Sequence, residues 1–396
     1  MDKITVIINK LLSKNAGGIS DNCCHLCSGA LFPEPILQLK GMPKAAQYYP
    51  EKDEFTKDTG INLNIYQCSS CGLIQLRIDP VSYFREVITA ATLSEKARAS
   101  RLSQMKALVD RFGLKGKKVL DVGSGKGEML DVMKEAGMSA SGLEASQSSV
   151  ETGKAAGRNM IEGYIGDECK IKGGPFDAFI SLNYLEHLPF PGRIIRNIYD
   201  NTAVNAVGFV TVPNLEYLLK TKCFYEFVVD HLSYFTKRTL TTAFELNGFD
   251  VLECELINED NDIAVTVKKK NRLDISGQYS EVESLIRDMQ KILADYKSRG
   301  KKVAVWGAGH RTLALLALGK MKDIEYVVDS AKFKHGKFTP SLHLKIVPPQ
   351  HLEENKVDLV IVMVPGLYPG EVLKTLNNMN LGADTAVLRD NKIVFI

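Results

Sequence analysis

The 396-residue sequence predicts an α/β protein in which two doubly wound, parallel-sheet domains follow a small module stapled by cysteines. Three observations carry that expectation. Short apolar runs alternate with amphipathic segments over residues 117–270 and again from residue 302. Each of these stretches opens on a strand that breaks into a glycine-rich turn. Ahead of both lie two Cys-x-x-Cys pairs.

Length and composition agree with several ordinary domains. One hydrophobic core rarely serves so long a chain, so two or three domains are expected, and 45% apolar residues suffice to fill them. Fifty basic residues against forty-seven acidic ones leave a net charge of +3, with no basic block longer than Lys268-Lys269-Lys270. Charge therefore gives no argument for a nucleic-acid partner. The longest apolar runs, such as Leu359 to Val364, fall far short of the roughly 20 residues that cross a bilayer. Ile4-Thr5-Val6-Ile7-Ile8 is broken by Asn9 and Lys10 and lacks a small-residue cleavage site, so a cytoplasmic protein without a membrane partner is expected.

Along the chain, residues 1–22 read as a loose extension, and Cys23 to Pro80 as a turn-rich module closing a first domain over 1–93. Ser94 to Phe112 has Leu102, Met105, Leu108 and Val109 spaced for one face of a helix. That helix opens a second domain over 94–270. Its expected strands are Val119–Val122, Ser141–Glu144, Ala178–Ser181 and Gly208–Val212, with a helix running to Glu135. A polar stretch from Lys268 to Gly277 reads as a linker into a third domain over 271–396. There a helix at Glu281–Lys297 precedes strands at Lys302–Trp306, Tyr326–Val328 and Leu359–Val362.

Four of the eight cysteines form the pairs Cys24-x-x-Cys27 and Cys68-x-x-Cys71. In a reducing compartment such spacing points to metal rather than to disulfides. Two knuckles bring four thiolates into the tetrahedron that Zn(2+) accepts, and a closed four-sulfur site is structural because no position is left for water. Cys23 is expected to be a bystander, and Cys169, Cys223 and Cys254 to be small buried hydrophobes.

The turn after Val119-Leu120-Asp121-Val122 reads Gly123-Ser124-Gly125-Lys126-Gly127, a Gly-x-Gly-x-Gly spacing that differs from the dinucleotide pattern. Asp121 before it suits the ammonium of an amino-acid tail and would repel a pyrophosphate. Glu144, with Ala145 beside it, ends the next strand, where a carboxylate accepts hydrogen bonds from ribose hydroxyls. Asp167, after Gly163-Tyr164-Ile165-Gly166, is expected at the third strand's end, within reach of an adenine amino group, and Asn183 at the fourth's. Over roughly residues 95–270 these features resemble the class I S-adenosylmethionine (SAM)-dependent methyltransferases, which implies SAM (S-adenosylmethionine) as cofactor.

Asn183, Glu186 and His187 fall at the carboxyl edge of the sheet, where ligands of such folds bind. Glu186 and His187 also read as mere caps of the following helix. After the fifth strand, Val229-Asp230-His231-Leu232-Ser233-Tyr234-Phe235-Thr236 sets a histidine beside a carboxylate where a methyl acceptor is expected. Histidine is the base most readily used near neutral pH. His231 is therefore the first candidate base, Asp230 its tuning or acceptor-holding neighbour, and His187 the competing base.

Taken whole, the chain resembles the sugar C-methyltransferase family. The residues that carry the resemblance are the two cysteine pairs with Gly72-Leu73-Ile74-Gln75-Leu76, the glycine turn, Asp230 to Phe235, Val305-Trp306-Gly307-Ala308-Gly309-His310-Arg311, and Lys334 to Pro340. The resemblance implies a zinc-binding N-terminal domain, a class I SAM methyltransferase Rossmann-like domain and a C-terminal Rossmann-like domain. It also implies a nucleotide-linked keto or deoxy sugar as substrate, methylated at carbon after the histidine matching His231 removes a proton. The chain departs from the family at Asp230, where the family has glutamate, and at Val228, where it has tyrosine. A further family tyrosine is lacking in Phe84 to Ala90, and Asn258 to Asp262 replaces a glycine-serine segment. Carbon, oxygen and nitrogen acceptors on a sugar or another small molecule therefore stay open.

Two rival readings come from other parts of the chain. Gly307-x-Gly309-x-x-Thr312 with Asp329 resembles a dinucleotide turn and would make the third domain an NAD-dependent oxidoreductase, although His310-Arg311 also suits a phosphate. A cysteine-ribbon adaptor for nucleic acid would need a basic face with aromatic platforms, whereas Lys40, Lys44, Lys52, Lys57 and Arg77 lie scattered among acidic residues. The expected partner is a small molecule, for a monomer or homodimer.

Overall fold

The structure, a computed structural model, describes residues 22–46, 49–85, 94–166 and 170–396. It divides into two compact units, one ending at Asn271 and one spanning Arg272–Ile396. In the first unit the cysteine module and the central sheet share one core, so the first two expected domains fold as a single body.

The module contributes strands β1 (Leu37–Met42), β2 (Ile61–Gln67) and β3 (Ile74–Leu76), paired antiparallel in that order. The central strands are β4 (Lys118–Val122), β5 (Ser139–Glu144), β6 (Met160–Glu162), β7 (Phe176–Leu182) and β8 (Thr202–Pro213), all parallel. After β8 the chain makes the two-residue strand β9 (Ser233–Tyr234), which leaves the central sheet and adds to β3 as the module's fourth strand. An antiparallel hairpin, β10 (Phe249–Ile257) and β11 (Asp262–Lys269), completes the order β10-β11-β8-β7-β4-β5-β6.

The helix Glu95–Phe112 begins where the Ser94 side chain accepts from the Ala97 amide and stops where Gly113 turns left-handed. It buries Met105, Leu108 and Val109 against Val119, Ala178 and Ile180 on one face of the sheet. The other face packs Leu120, Val122 and Phe179 against helices Pro191–Asp200 and Lys237–Leu246 and against Leu26, Leu31 and Leu73 of the module. At Gly192 a Cβ would stand 2.4 Å from the Leu26 carbonyl oxygen, so only glycine lets this helix start touch the first knuckle.

Three sequence expectations shift. The hairpin β10–β11 was not foreseen; Asn258, Glu259 and Asp260 take positive φ at its tip, and its second strand absorbs Lys268 and Lys269, assigned to a linker. Lys269 stays in the strand because its ammonium lies 4.1 Å from the Tyr199 ring centroid and donates to the carbonyls of Tyr199 and Thr202. The third strand, β6, ends at Glu162 rather than at Asp167.

The second unit repeats the α/β rhythm with β12 (Val303–Trp306), β13 (Tyr326–Val328), β14 (Ile346–Val347), β15 (Leu359–Val362), β16 (Asp384–Arg389) and β17 (Lys392–Phe395), ordered β14-β13-β12-β15-β16-β17. Only the last pairing is antiparallel. Among the described residues, no helix is long and apolar enough to cross a membrane.

Candidate functional site

The four paired cysteines converge. Cys24 Sγ lies 3.5 Å from Cys71 Sγ and Cys27 Sγ 3.6 Å from Cys68 Sγ, and all four sulfurs lie within 4.8 Å of one another. Zinc–sulfur bonds of about 2.3 Å require tetrahedral edges of about 3.8 Å, so the cluster fits that ion. Backbone amides brace the sulfurs: Leu26 donates to Cys24 Sγ, and Ser70 and Cys71 to Cys68 Sγ. Gly72 follows at φ +81°, a turn that a side chain resists. Cys23 stays out of the cluster, its carbonyl accepting from Gln75. Cys223 and Cys254 are half-buried rather than core residues, Cys254 on the edge strand β10 and Cys223 in the turn after helix Leu215–Thr221; Cys169 lies outside the described residues.

At the end of β4, Gly123, Gly125 and Gly127 all take positive φ, and the amides of Gly123 and Ser124 donate to the Leu143 carbonyl. The turn thus folds back over the end of β5. There the buried Glu144 carboxylate accepts from the amides of Gly125 and Ser146, both at 2.9 Å. Ala145 packs half-buried on the central core. Asp121 is buried, and desolvation, reinforced by the Glu144 charge, pushes its carboxyl up to about 8. Asp167 lies outside the described residues. A residue the sequence reading missed closes this turn: a Cβ on Gly123 would stand 2.5 Å from the Tyr184 ring. Tyr184 in turn donates to the Arg85 carbonyl, and Arg85 lies over the Tyr164 ring.

Beyond β7, Asn183 takes φ +47° and its amide is engaged by Thr211 and Asp262. It thereby lines a pocket with a volume of about 130 Å³, together with Glu186, His231, Tyr234 and Asp262. Asp262, which opens β11, was not among the expected site residues; its only sequence signal was the polar run at the hairpin tip. Glu186 and His187 form a short 3-10 turn and do not cap the next helix, whose start at Phe190 has no side-chain cap. Glu186 is buried, its Oε2 atom has no partner among the described residues, and desolvation pushes its carboxyl up to about 8.

His187 and His231 meet edge to face, with ring centroids 4.7 Å apart. Burial holds both imidazoles below the usual histidine range, His231 down to about 3 with help from His187. Asp230 acts on this pair differently from expectation. Its carbonyl accepts from His187 Nδ1 at 2.8 Å, while its carboxylate accepts from the Ala46 amide of the module at 2.9 Å. The backbone of Asp230 therefore orients His187, and its side chain ties the loop to the cysteine module.

In the second unit the turn after β12 is held by Asp329, whose carboxylate accepts from the amides of Ala308 and Ala331 and from Lys334. A cavity of about 780 Å³ opens beyond the strand ends, lined in part by Arg311, Thr312 and Arg389.

Comparison with known proteins follows this division. The methyltransferase domain family matches residues 96–254, and the C-methyltransferase C-terminal domain family matches residues 268–382. The C-methyltransferase NovU of Streptomyces niveus is 24% identical over 392 residues, covering 87% of this chain and 90% of NovU. The ubiquinone biosynthesis O-methyltransferase of Pseudomonas aeruginosa (strain LESB58) is 33% identical over 96 residues, 22% of this chain and 40% of that protein. A solved magnesium protoporphyrin IX methyltransferase from Synechocystis PCC 6803 is 15% identical, with a TM-score of 0.37, covering 46% of this chain and 90% of that one. With its strand order, its glycine turn and these two domain matches, the chain is a SAM-dependent methyltransferase whose residues 268–382 match the C-methyltransferase C-terminal domain family.

Proposed function

We propose that the protein methylates a carbon beside the keto group of a nucleotide-linked deoxysugar, with His231 as the base. The observation that carries this reading is the neutral pair His187–His231 clustered with the buried Glu186, where Glu186 and His231 line a small pocket. Bound SAM supplies an electrophilic methyl on a sulfonium. Asp121, the glycine turn and Glu144 hold its amino-acid tail and ribose.

His231 removes the proton next to the keto group. The C–H electron pair becomes the enolate, whose carbon forms the new C–CH3 bond as the S–CH3 bond breaks. His231 is neutral and so ready to accept, but its lowered proton affinity makes it a weak base. Stabilising the enolate oxygen is therefore essential. Glu186, kept protonated by burial, supplies an O–H donor for that oxygen, in the manner of buried carboxylic acids that serve as oxyanion donors. The nucleotide-linked sugar as substrate rests on the resemblance to the sugar C-methyltransferase family. The four thiolates of Cys24, Cys27, Cys68 and Cys71 hold a structural zinc.

The test is to incubate the protein with SAM and a panel of nucleotide-linked keto sugars. The expected product gains one methyl, read by mass spectrometry, and the methyl is bonded to carbon by NMR. His231→Ala should lower turnover roughly 10²–10⁴-fold with SAM affinity nearly unchanged. An O-methyl or N-methyl product would overturn the carbon acceptor. Near-normal turnover in His231→Ala, with collapse in His187→Ala, would transfer the base role to His187.

A further inference from the structure

Glu186, His187 and His231 each offer one ligand atom, and the three atoms lie within 4.8 Å of one another. Two features prepare them for more than proton transfer. First, His187 Nδ1 donates to the Asp230 carbonyl, which leaves its Nε2 bare and 3.9 Å from Glu186 Oε1. Metal-ligating imidazoles are oriented this way, the far nitrogen bonded to a carbonyl and the near one free. Second, the Glu186 carboxyl in this cluster has a wholly buried oxygen, Oε2, with no partner among the described residues. The His231 ring stands edge-on to that of His187, and the 130 Å³ pocket opens onto both Glu186 and His231.

We propose that Glu186, His187 and His231 form a second metal site, distinct from the four-thiolate cluster, which takes a divalent transition-metal ion such as Zn(2+), Co(2+) or Ni(2+). Two imidazoles and one carboxylate are the ligands that this series prefers, whereas magnesium and calcium favour all-oxygen sets. Three protein ligands leave the remaining coordination open toward the pocket, for water or an oxygen of a small ligand. One consequence rests on the reading of His231 as base. An ion in this site occupies the lone pairs of both imidazoles, so metal occupancy and proton abstraction exclude one another and the ion inhibits the enzyme.

The experiment titrates Co(2+) into the full chain, isolated with its four-thiolate cluster filled. One equivalent should bind with visible d–d absorption and without the thiolate-to-cobalt charge-transfer bands that cysteine ligation produces. Glu186→Gln and His187→Gln should each weaken this binding at least about tenfold. His187 is half-exposed and so provides the variant safer for folding, and melting curves check both. No d–d absorption, thiolate bands alone, or unchanged binding in both variants overturns the site. Turnover should fall in proportion to cobalt occupancy and return on chelation. Turnover that persists at full occupancy leaves the site standing and overturns His231 as base.

Discussion

Replacing Asp121 by asparagine should strengthen the ligand-free fold and weaken it as a SAM binder. Asp121, one residue before the end of β4, has 3% of its surface exposed, and burial together with the Glu144 charge moves its carboxyl from 3.8 to about 8. A folded value raised above the unfolded one means that the fold prefers the protonated form. The stability this group contributes is fully present below pH 3.8 and is lost as pH rises through about 8. At about 1.4 kcal/mol per pKa unit, the loss is on the order of 1–2 kcal/mol at about pH 5 and on the order of 5 kcal/mol at about pH 8. Asparagine keeps the shape and never ionises. Urea unfolding of the ligand-free protein should therefore show the variant gaining roughly 3–4 kcal/mol on the wild type between those two pH values. SAM should act oppositely, because its ammonium favours the ionised carboxylate. Calorimetry in buffers of different ionisation heat should detect a proton released on SAM binding to the wild type, absent in the variant, which binds more weakly. A stability gap that stays constant across the pH range would refute the buried, protonated Asp121. Undiminished SAM affinity in the variant would refute its role opposite the ammonium.

Two further outcomes test the cofactor turn and the thiolate cluster. Gly123→Val places a side chain at φ +74°, with its Cβ 2.5 Å from the Tyr184 ring. The left-handed backbone alone costs roughly 1–2 kcal/mol, so SAM affinity measured by calorimetry should fall at least about tenfold. Unchanged affinity would mean that the ligand does not approach this turn. Elemental analysis should find about one zinc per chain, with Cys68→Ser losing it and melting at a lower temperature. Metal-free protein of full thermal stability would remove the zinc assignment.

Much of this architecture was legible because local signals and tertiary demands agree. β4, the glycine turn and the strand ending at Glu144 each carry their own pattern, and the knuckle spacing fixes four sulfurs whatever lies between them. Relations that depend on distant segments were not legible. Nothing near Ser233 and Tyr234 marks them as a strand of the cysteine module, because a two-residue strand has no periodicity and its partner, β3, is some 160 residues away. The hairpin β10–β11 was hidden by its charged tip, where Asn258, Glu259 and Asp260 take the positive φ values of a turn. Asp230 was expected to act through its carboxylate. Its carbonyl serves His187 instead, and a backbone contact of that kind leaves no mark in the side-chain sequence.

The route from β3 to β9 also ties the cysteine module to the proposed base. β9 is too short to hold its register alone, since isolated two-stranded pairing is marginal even for longer strands. It is fixed because β3 is fixed. The buried Gln75 accepts from the His25 amide and donates to the Cys23 carbonyl, which ties β3 to the first knuckle. Ile74 and Gln75 then pair with Tyr234 and Ser233. On either side of His231 the chain is clamped in the same way. The Asp230 carboxylate accepts from Ala46 and its carbonyl from His187, while Leu232 accepts from the Leu76 amide and donates to the Glu186 carbonyl. His231 therefore sits between two residues that each bridge the module and the Glu186–His187 turn. The separation of the two imidazoles is set by the same backbone bonds that join the thiolate module to the central sheet. Loosening the sulfur cluster should thus disturb the histidine pair before it disturbs β4 and the glycine turn, which the parallel sheet holds independently.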